Sequence, residues 1–492
     1  MKAAYLSLDQ GTTSTRAIIF DIDGQIICTS QQEFRQIFPH DGWVEHDPEE
    51  IWQTSLTVIH NAMQTAESHG HVIKAMGITN QRETTLVWNR HTGKPVYNAI
   101  VWQDRRTSDF CRRLVQAGHE ALVAERTGLV IDPYFSASKI GWILEHVEGA
   151  QTAAEKGDLI FGTIETFLIW RLTEGKAHLT DATNAARTSL LDIRSGQWDF
   201  DLCNLFGVPM NMLPEVRDCT DINVDTTVLE GRQIKILSSI GDQQSAAVGQ
   251  ACFAPGEVKS TYGTGCFVIL NTGDKLVRSS NRLLTTIGLQ HNGKRLYALE
   301  GSIFIAGAVV QWLRDGMGLI QEAAETMHYA QSASDSGLYM VPAFTGLGAP
   351  WWAADARGAI YGITRDTGPK DFVRAALDSV AYQSCDLFDA MARDGMRPTT
   401  VKVDGGMVAN DWFVQRLSDF LNLDVERPAV TETTAFGAAM LAALADGAFA
   451  ELEDIAQSWQ LERRFSSQMG LSQRAALKSG WDQAVTKTRI TL

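Results

Sequence analysis

Three short turns, rich in glycine and threonine and far apart along the chain, limit what this sequence can fold into. They are Asp9-Gln10-Gly11-Thr12-Thr13-Ser14, Tyr262-Gly263-Thr264-Gly265 and Asp404-Gly405-Gly406. Each follows an apolar run that reads as a strand: residues 4–8, 258–261 and 401–403. Turns of this composition aim backbone N–H groups and hydroxyls at a phosphate. With the first two in different halves of the chain, the pattern predicts a nucleotide gripped across a cleft between two lobes.

The 492 residues exceed one ordinary core, and the boundary is placed near residue 250, dividing the chain into 1–250 and 251–492. No apolar run reaches the ~18–20 residues that cross a bilayer, and the N-terminus lacks a basic and apolar leader pattern, so no transmembrane segment and a cytoplasmic enzyme are expected. Forty-three basic against fifty-eight acidic residues give a formal charge of −15. Such an acidic chain does not fit a nucleic-acid partner, which needs a basic surface, but it leaves room for a nucleotide held by local N–H groups and a metal ion. Seven cysteines, an odd number without a Cys-x-x-Cys pair, read as reduced and mostly buried thiols.

Strand and helix signals alternate in both halves. Residues 4–8, 16–21, 26–30, 73–79 and 84–88 read as strands. Asp47 as N-cap, Pro48 in the first helical position and Glu49 and Glu50 behind it open a helix; Trp52, Leu56, Ile59 and Met63 line one face and Gly70 ends it. In the second half, residues 258–261, 266–271, 297–299 and 401–403 read as strands, and 301–313 and 411–420 as helices. This is one βββαβα-type unit used twice.

The sequence has no P-loop, no Gly-x-Gly-x-x-Gly after a strand, no protein-kinase catalytic loop, no Gly-x-Ser-x-Gly and no His-Glu-x-x-His. Asp242, after the apolar run 234–240, reads by itself as a helix N-cap; Arg82-Glu83 as a solvated loop pair; Trp102, Tyr134 and Phe267 as core aromatics; Arg16 as a strand-edge cation; Gly405-Gly406 as a strand-to-helix turn. Gly307 and Gln311 lie one turn apart after Glu300, and a glycine inside a helix points to close approach of a ligand or of backbone.

The run from Leu8 to Ala17 resembles the first phosphate loop of the FGGY carbohydrate kinases. Asn80-Gln81-Arg82-Glu83-Thr84-Thr85, the stretch from Tyr97 to Arg106, the stretch from Gly128 to Ser136, Thr180-Asp181-Ala182-Thr183-Asn184-Ala185, Gly241-Asp242-Gln243-Gln244 and the stretch from Thr261 to Phe267 are similar to the glycerol-phosphorylating members. The resemblance implies a two-domain α/β fold, actin-like and related to ribonuclease H, with an interdomain cleft. It also implies transfer of the ATP γ-phosphoryl to glycerol, giving sn-glycerol 3-phosphate and ADP.

By the same resemblance Asp242 is the general base. Arg82, Glu83, Trp102, Tyr134, Asp242, Gln243 and Phe267 surround the polyol. Thr12, Thr13, Ser14, Arg16, Thr264, Gly265, Gly307, Gln311, Gly406 and Asn410 hold the nucleotide, and Asp9 stands near Mg²⁺. A homo-oligomer, dimer or tetramer, is expected. Where many bacterial relatives carry a loop for fructose 1,6-bisphosphate, residues 226–233 keep only Gly231-Arg232, so that site reads as degraded; the region 223–235 has no histidine, the tail from Phe465 departs from the regulator-docking version, and Met407 stands where alanine is frequent. Two other readings are weighed: a related kinase for another polyol or a pentulose, and a non-enzymatic actin-like ATP binder.

Overall fold

The computed structural model describes residues 2–229, 232–335, 337–353 and 355–490. Two mixed sheets share the order of their five central strands. In the first, β1 (Lys2–Gln10) pairs antiparallel with β2 (Ser14–Phe20) and β2 with β3 (Ile26–Glu33); β1 also pairs parallel with β4 (His71–Asn80), and β4 with β5 (Lys235–Gly241). In the second, β6 (Glu257–Tyr262) pairs antiparallel with β7 (Cys266–Gly273) and β7 with β8 (Lys294–Ile303); β6 pairs parallel with β9 (Thr400–Asp404), and β9 with β10 (Val425–Pro428). The first sheet runs β3, β2, β1, β4, β5 and the second β8, β7, β6, β9, β10; the second differs in an eight-residue strand the sequence reading missed, Leu284–His291, which precedes β8 in the chain and pairs antiparallel with it at the sheet edge. The repeat read in the sequence is a repeat of topology, and each phosphate-type turn lies at the end of a central strand.

Helix α1 (Pro48–Ser68) starts as expected: the Asp47 carboxylate accepts from the Glu49 N–H at 2.8 Å, and Gly70 lies just past its end in the left-handed region. Its buried face (Trp52, Ile59, Met63) covers β2, β3 and β4, with Leu56 partly buried beside them. Helix α2 (Asp242–Gly249) continues directly from β5, and α3 (Gly307–Gln311) follows β8. The expected helix over 301–313 is shorter than read, because residues 301–303 remain in the ladder with β7 and only Gly307–Gln311 is α-helical. The run 84–88 is likewise displaced: the strand is Leu86–Asn89 and pairs with Leu159–Gly162, outside the main sheet.

Helix α4 (Asp411–Leu421) follows β9, and α5 (Thr433–Ala445) crosses back to pack on β1, β4 and β5, opposite α1. A cut at residue 250 thus divides the sequence without dividing the packing. Helices α2 and α5 touch backbone to backbone: a Cβ on Gly249 would sit 2.0 Å from the Thr433 carbonyl oxygen, and one on Gly437 2.0 Å from that of Ser245. The long connection between β4 and β5 has its own apolar core around Ile140, Phe161 and Leu202, and carries Trp102, Tyr134 and Arg187. All seven cysteines are free thiols, six of them buried. Among the described residues no helix is long and apolar enough to cross a membrane.

Candidate active site

Two clusters meet where the sheets face each other. The first is built on side chains. Arg82 and Glu83 follow the C-terminal end of β4, and both are buried. Glu83 has a φ of 58°, a left-handed conformation uncommon for a non-glycine residue. Arg82 Nε lies 3.2 Å from Asp242 Oδ1, and its Nη2 lies 3.4 Å from the Tyr134 hydroxyl. Trp102 packs edge-on against Tyr134 and against Phe267, with ring centroids 5.6 and 6.1 Å apart, so the three expected aromatics form one wall contributed by both halves of the chain.

Asp242 is not the helix cap: Gly241 takes that position, and Asp242 opens α2 with its carboxylate 28% exposed. A helix N-terminus favours its charged form. Desolvation nonetheless raises its pKa, opposed by the nearby Arg82 and Lys259 cations. Gln243 Oε1 accepts from Lys259 Nζ at 2.5 Å, another bond between the two halves.

Sequence reasoning missed the deepest members of this cluster. Arg187 and Glu300 are both buried; Arg187 Nε donates to Glu83 Oε1 at 2.6 Å, and its Nη2 to Glu300 Oε1 at 2.8 Å. Glu300 also accepts from Arg82 Nη1 at 2.7 Å and from Nη2 at 3.3 Å. Burial pushes the Glu300 carboxyl upward, but the Arg187 and Arg82 guanidiniums outweigh it and hold it below the ordinary glutamate value. The available signal was a charge inside an apolar strand, Glu300 after Tyr297-Ala298-Leu299 and Lys259 after Val258, because a buried charge implies a partner.

The second cluster is built on backbone and hydroxyls. Thr12, Ser14 and Gly265 are partly exposed, and Thr13 and Thr264 are exposed. The Thr264 carbonyl accepts from the Ala306 and Ala308 N–H groups, each at 3.0 Å, which seats this turn on the start of α3. Gly307 is the first residue of α3, and a Cβ there would lie 2.6 Å from the Gly263 carbonyl oxygen. Close approach of backbone is therefore the cause that the sequence pattern called for. Gly405 has a φ of 92° and faces the Tyr262 carbonyl, so the third turn nests against the second.

Asn410 caps α4, accepting from the Phe413 N–H at 3.1 Å, while its Nδ2 donates to Thr326 Oγ1 at 3.1 Å. Gly406 and Gln311 are exposed, and the hydrogen bonds that tie the first cluster together do not extend to Gln311, Gly406 or Asn410. One bond joins the clusters directly: Trp102 Nε1 donates to Thr12 Oγ1 at 3.0 Å.

Asp9 is buried and pairs with Arg16 at 2.5 Å, and Arg16 reaches Glu432 at 2.6 Å. Desolvation raises the Asp9 carboxyl, and Arg16 opposes it. Among the described residues no three His, Cys, Asp or Glu side chains group as a metal site. A lone carboxylate of this kind fits magnesium, which keeps its waters and arrives with phosphates, and does not fit an all-protein cage. In the stretch 226–233, Arg232 pairs with Glu67 at 2.7 Å, and Gly231 lies outside the described residues.

Twin sheets of this connectivity, with phosphate-type turns facing each other beside a buried ion-pair cluster, define a two-domain sugar-kinase type of protein with an actin-like fold. Residues 4–249 match the N-terminal domain of the FGGY family of carbohydrate kinases and residues 258–445 its C-terminal domain; the chain belongs to that family. It is 56% identical over 486 residues to "Glycerol kinase 1" of Pseudomonas aeruginosa, covering 98% of each chain, and 54% identical over 485 residues to a glycerol kinase of Cereibacter sphaeroides, again covering 98% of each. Its structure is similar to that of Plasmodium falciparum glycerol kinase with ADP, at a TM-score of 0.94 and 36% identity, over 100% of this chain and 99% of that one. A gluconate kinase from Lactobacillus acidophilus, 20% identical with a TM-score of 0.90 over 100% and 99% of the two chains, shares the fold.

Proposed function

We propose that this chain transfers the γ-phosphoryl group of ATP to a terminal hydroxyl of glycerol, giving sn-glycerol 3-phosphate and ADP. The observation that carries the reading is the Arg82–Asp242 contact at 3.2 Å, at the mouth of an otherwise buried cluster and beside an aromatic wall. It places a donor fork next to a carboxylate, as a small polyol requires. Each hydroxyl is both donor and acceptor, so Arg82 donates, Glu83 accepts, and together they fix one orientation. Trp102, Tyr134 and Phe267 cover the carbon chain and keep out bulk water. Gln243 supplies a further amide at the same rim.

In the reaction Asp242 accepts the proton of the terminal hydroxyl as its oxygen bonds to the γ-phosphorus; the bond from that phosphorus to the bridging oxygen breaks, and ADP departs with the electron pair. Thr12, Thr13, Ser14 and Arg16 on one side and Thr264 and Gly265 on the other hold the phosphates, while Gly307, Gln311, Gly406 and Asn410 border the adenosine. Asp9 would help to hold Mg²⁺ arriving with the phosphates, and the ion would supply positive charge to the leaving group. The family resemblance supports a cytoplasmic homo-oligomer, dimer or tetramer, which sedimentation of the purified chain distinguishes.

The test is ADP release with glycerol, with a pentulose and without acceptor. Glycerol-dependent release supports the reading. Release only with the pentulose moves the chain to another substrate, and nucleotide binding without acceptor-dependent release makes it a non-enzymatic ATP binder.

A further inference from the structure

The two residues proposed to orient the polyol are each held by a residue with no assigned role. Arg82 is held by Glu300 at 2.7 and 3.3 Å, and Glu83 by Arg187 at 2.6 Å. Glu300 closes the circuit by accepting from Arg187 at 2.8 Å. Arg82, Glu83 and Arg187 belong to the first half of the chain, whereas Glu300 lies on β8 in the other sheet. One carboxylate thus reaches across and ties both guanidiniums.

The charges show why this matters. Without Glu300, Glu83 would be the one fully buried carboxylate left for both Arg82 and Arg187; Arg82 would keep Gln244 Oε1 at 3.1 Å and the Tyr134 hydroxyl at 3.4 Å, both neutral, and its charge would turn to Asp242. With Glu300 in place, Arg82 Nη1 and Nη2 are occupied and only its Nε is left toward Asp242. Arg187 Nη1 is buried and has no acceptor, so the circuit still holds a donor for one more oxygen. An isolated carboxylate would not stay buried and charged at this place without paired donors.

We propose that Glu300 is a positioning residue that assembles the polyol site when the second sheet seats against the first: it aims Arg82 directly, orients Glu83 through Arg187, and leaves Asp242 free to act as base. This deepens the glycerol kinase reading and rests on it.

The experiment compares Glu300→Gln, which keeps shape and removes charge, with Glu300→Asp, which keeps charge and retracts it. Both are measured with the wild type for glycerol KM, ATP KM and the pH profile of kcat/KM for glycerol. Glu300→Gln is expected to raise glycerol KM about 20-fold or more and leave ATP KM within about threefold.

The groups facing Asp242 are Arg82, Lys259, Asp9 and the Gln243 N–H. Once Arg82 is no longer neutralised by Glu300, its charge acts more fully on Asp242, favours the carboxylate form and moves the acid limb downward by about half a pH unit. A residue that merely filled space would not move that limb. Glu300→Asp is expected to restore the limb and to leave glycerol KM about fivefold high, because the shorter carboxylate cannot reach both guanidiniums.

A glycerol KM within twofold of wild type in Glu300→Gln, with an unmoved limb, overturns the proposal. If that variant does not fold, an unchanged glycerol KM in Glu300→Asp overturns it. A wild type that phosphorylates no polyol overturns the functional reading itself, and the positioning role with it.

Discussion

The two ends of the cleft solve different binding problems. At the Arg82 end the groups are buried, charged and already joined to one another: Arg82, Glu83, Arg187 and Glu300 lie within a single hydrogen-bonded circuit. At the Thr12 and Thr264 end the groups are partly or fully exposed hydroxyls and backbone, fixed by turns with few side-chain bonds. A small neutral polyol brings little binding energy and no charge, so the protein must hold its recognition groups in place beforehand. A triphosphate brings its own charge and metal, so short turns with free N–H groups suffice.

If that contrast is right, substitutions at the two ends should separate cleanly. The largest effect is expected at Asp242, which serves the chemistry and neither end alone: Asp242→Asn should lower kcat by about 10³-fold, with both KM values nearly unchanged. Steady-state kinetics on the purified, magnesium-replete variant measure this, and near-normal turnover would remove Asp242 from the mechanism. Next is Arg82→Ala, expected to raise glycerol KM about 100-fold while ATP KM moves less than about threefold. A comparable rise in both constants would break the separation.

At the other end, Thr264→Ala should raise ATP KM about fivefold and leave glycerol KM unchanged, since one exposed hydroxyl contributes about one hydrogen bond. The pH dependence sharpens the same point. Burial raises the Asp242 carboxyl, and the base works only when ionised; activity should therefore fall as pH drops through a value above the ordinary aspartate range. A limb at or below that range would mean that Arg82 and Lys259 outweigh burial. The smallest effect concerns the bond from Trp102 to Thr12 at 3.0 Å, the direct link between the ends. Trp102→Phe should weaken the dependence of ATP KM on bound glycerol by about threefold, read from ATP titrations at low and saturating glycerol.

Much of this molecule was legible because local chemistry dictated it. Asp47-Pro48 starts α1, the three turns follow central strands, and the cysteines read as thiols are free. Arg82, Glu83, Asp242, Trp102, Tyr134 and Phe267 were expected together from family resemblance, and they do share one cluster. The misread stretches have physical causes. Residues 301–303 are Gly, Ser and Ile, weak helix formers, and they stay extended in the ladder with β7; the apolar run behind them carried the helix reading too far toward the N-terminus.

What the sequence determined by itself was the inventory: strand ends bearing phosphate-type turns, a strand-end carboxylate, and the doubled order of strands and helices. These depend on neighbours in the chain. What only tertiary structure decided was partnership across distance. Glu300 binds Arg82 from 218 positions away, α5 returns to the first sheet, and Gly249 and Gly437 let two helices touch backbone to backbone. No local pattern encodes these contacts, because a buried charge or a close helix crossing is favourable only once the other side has arrived to meet it.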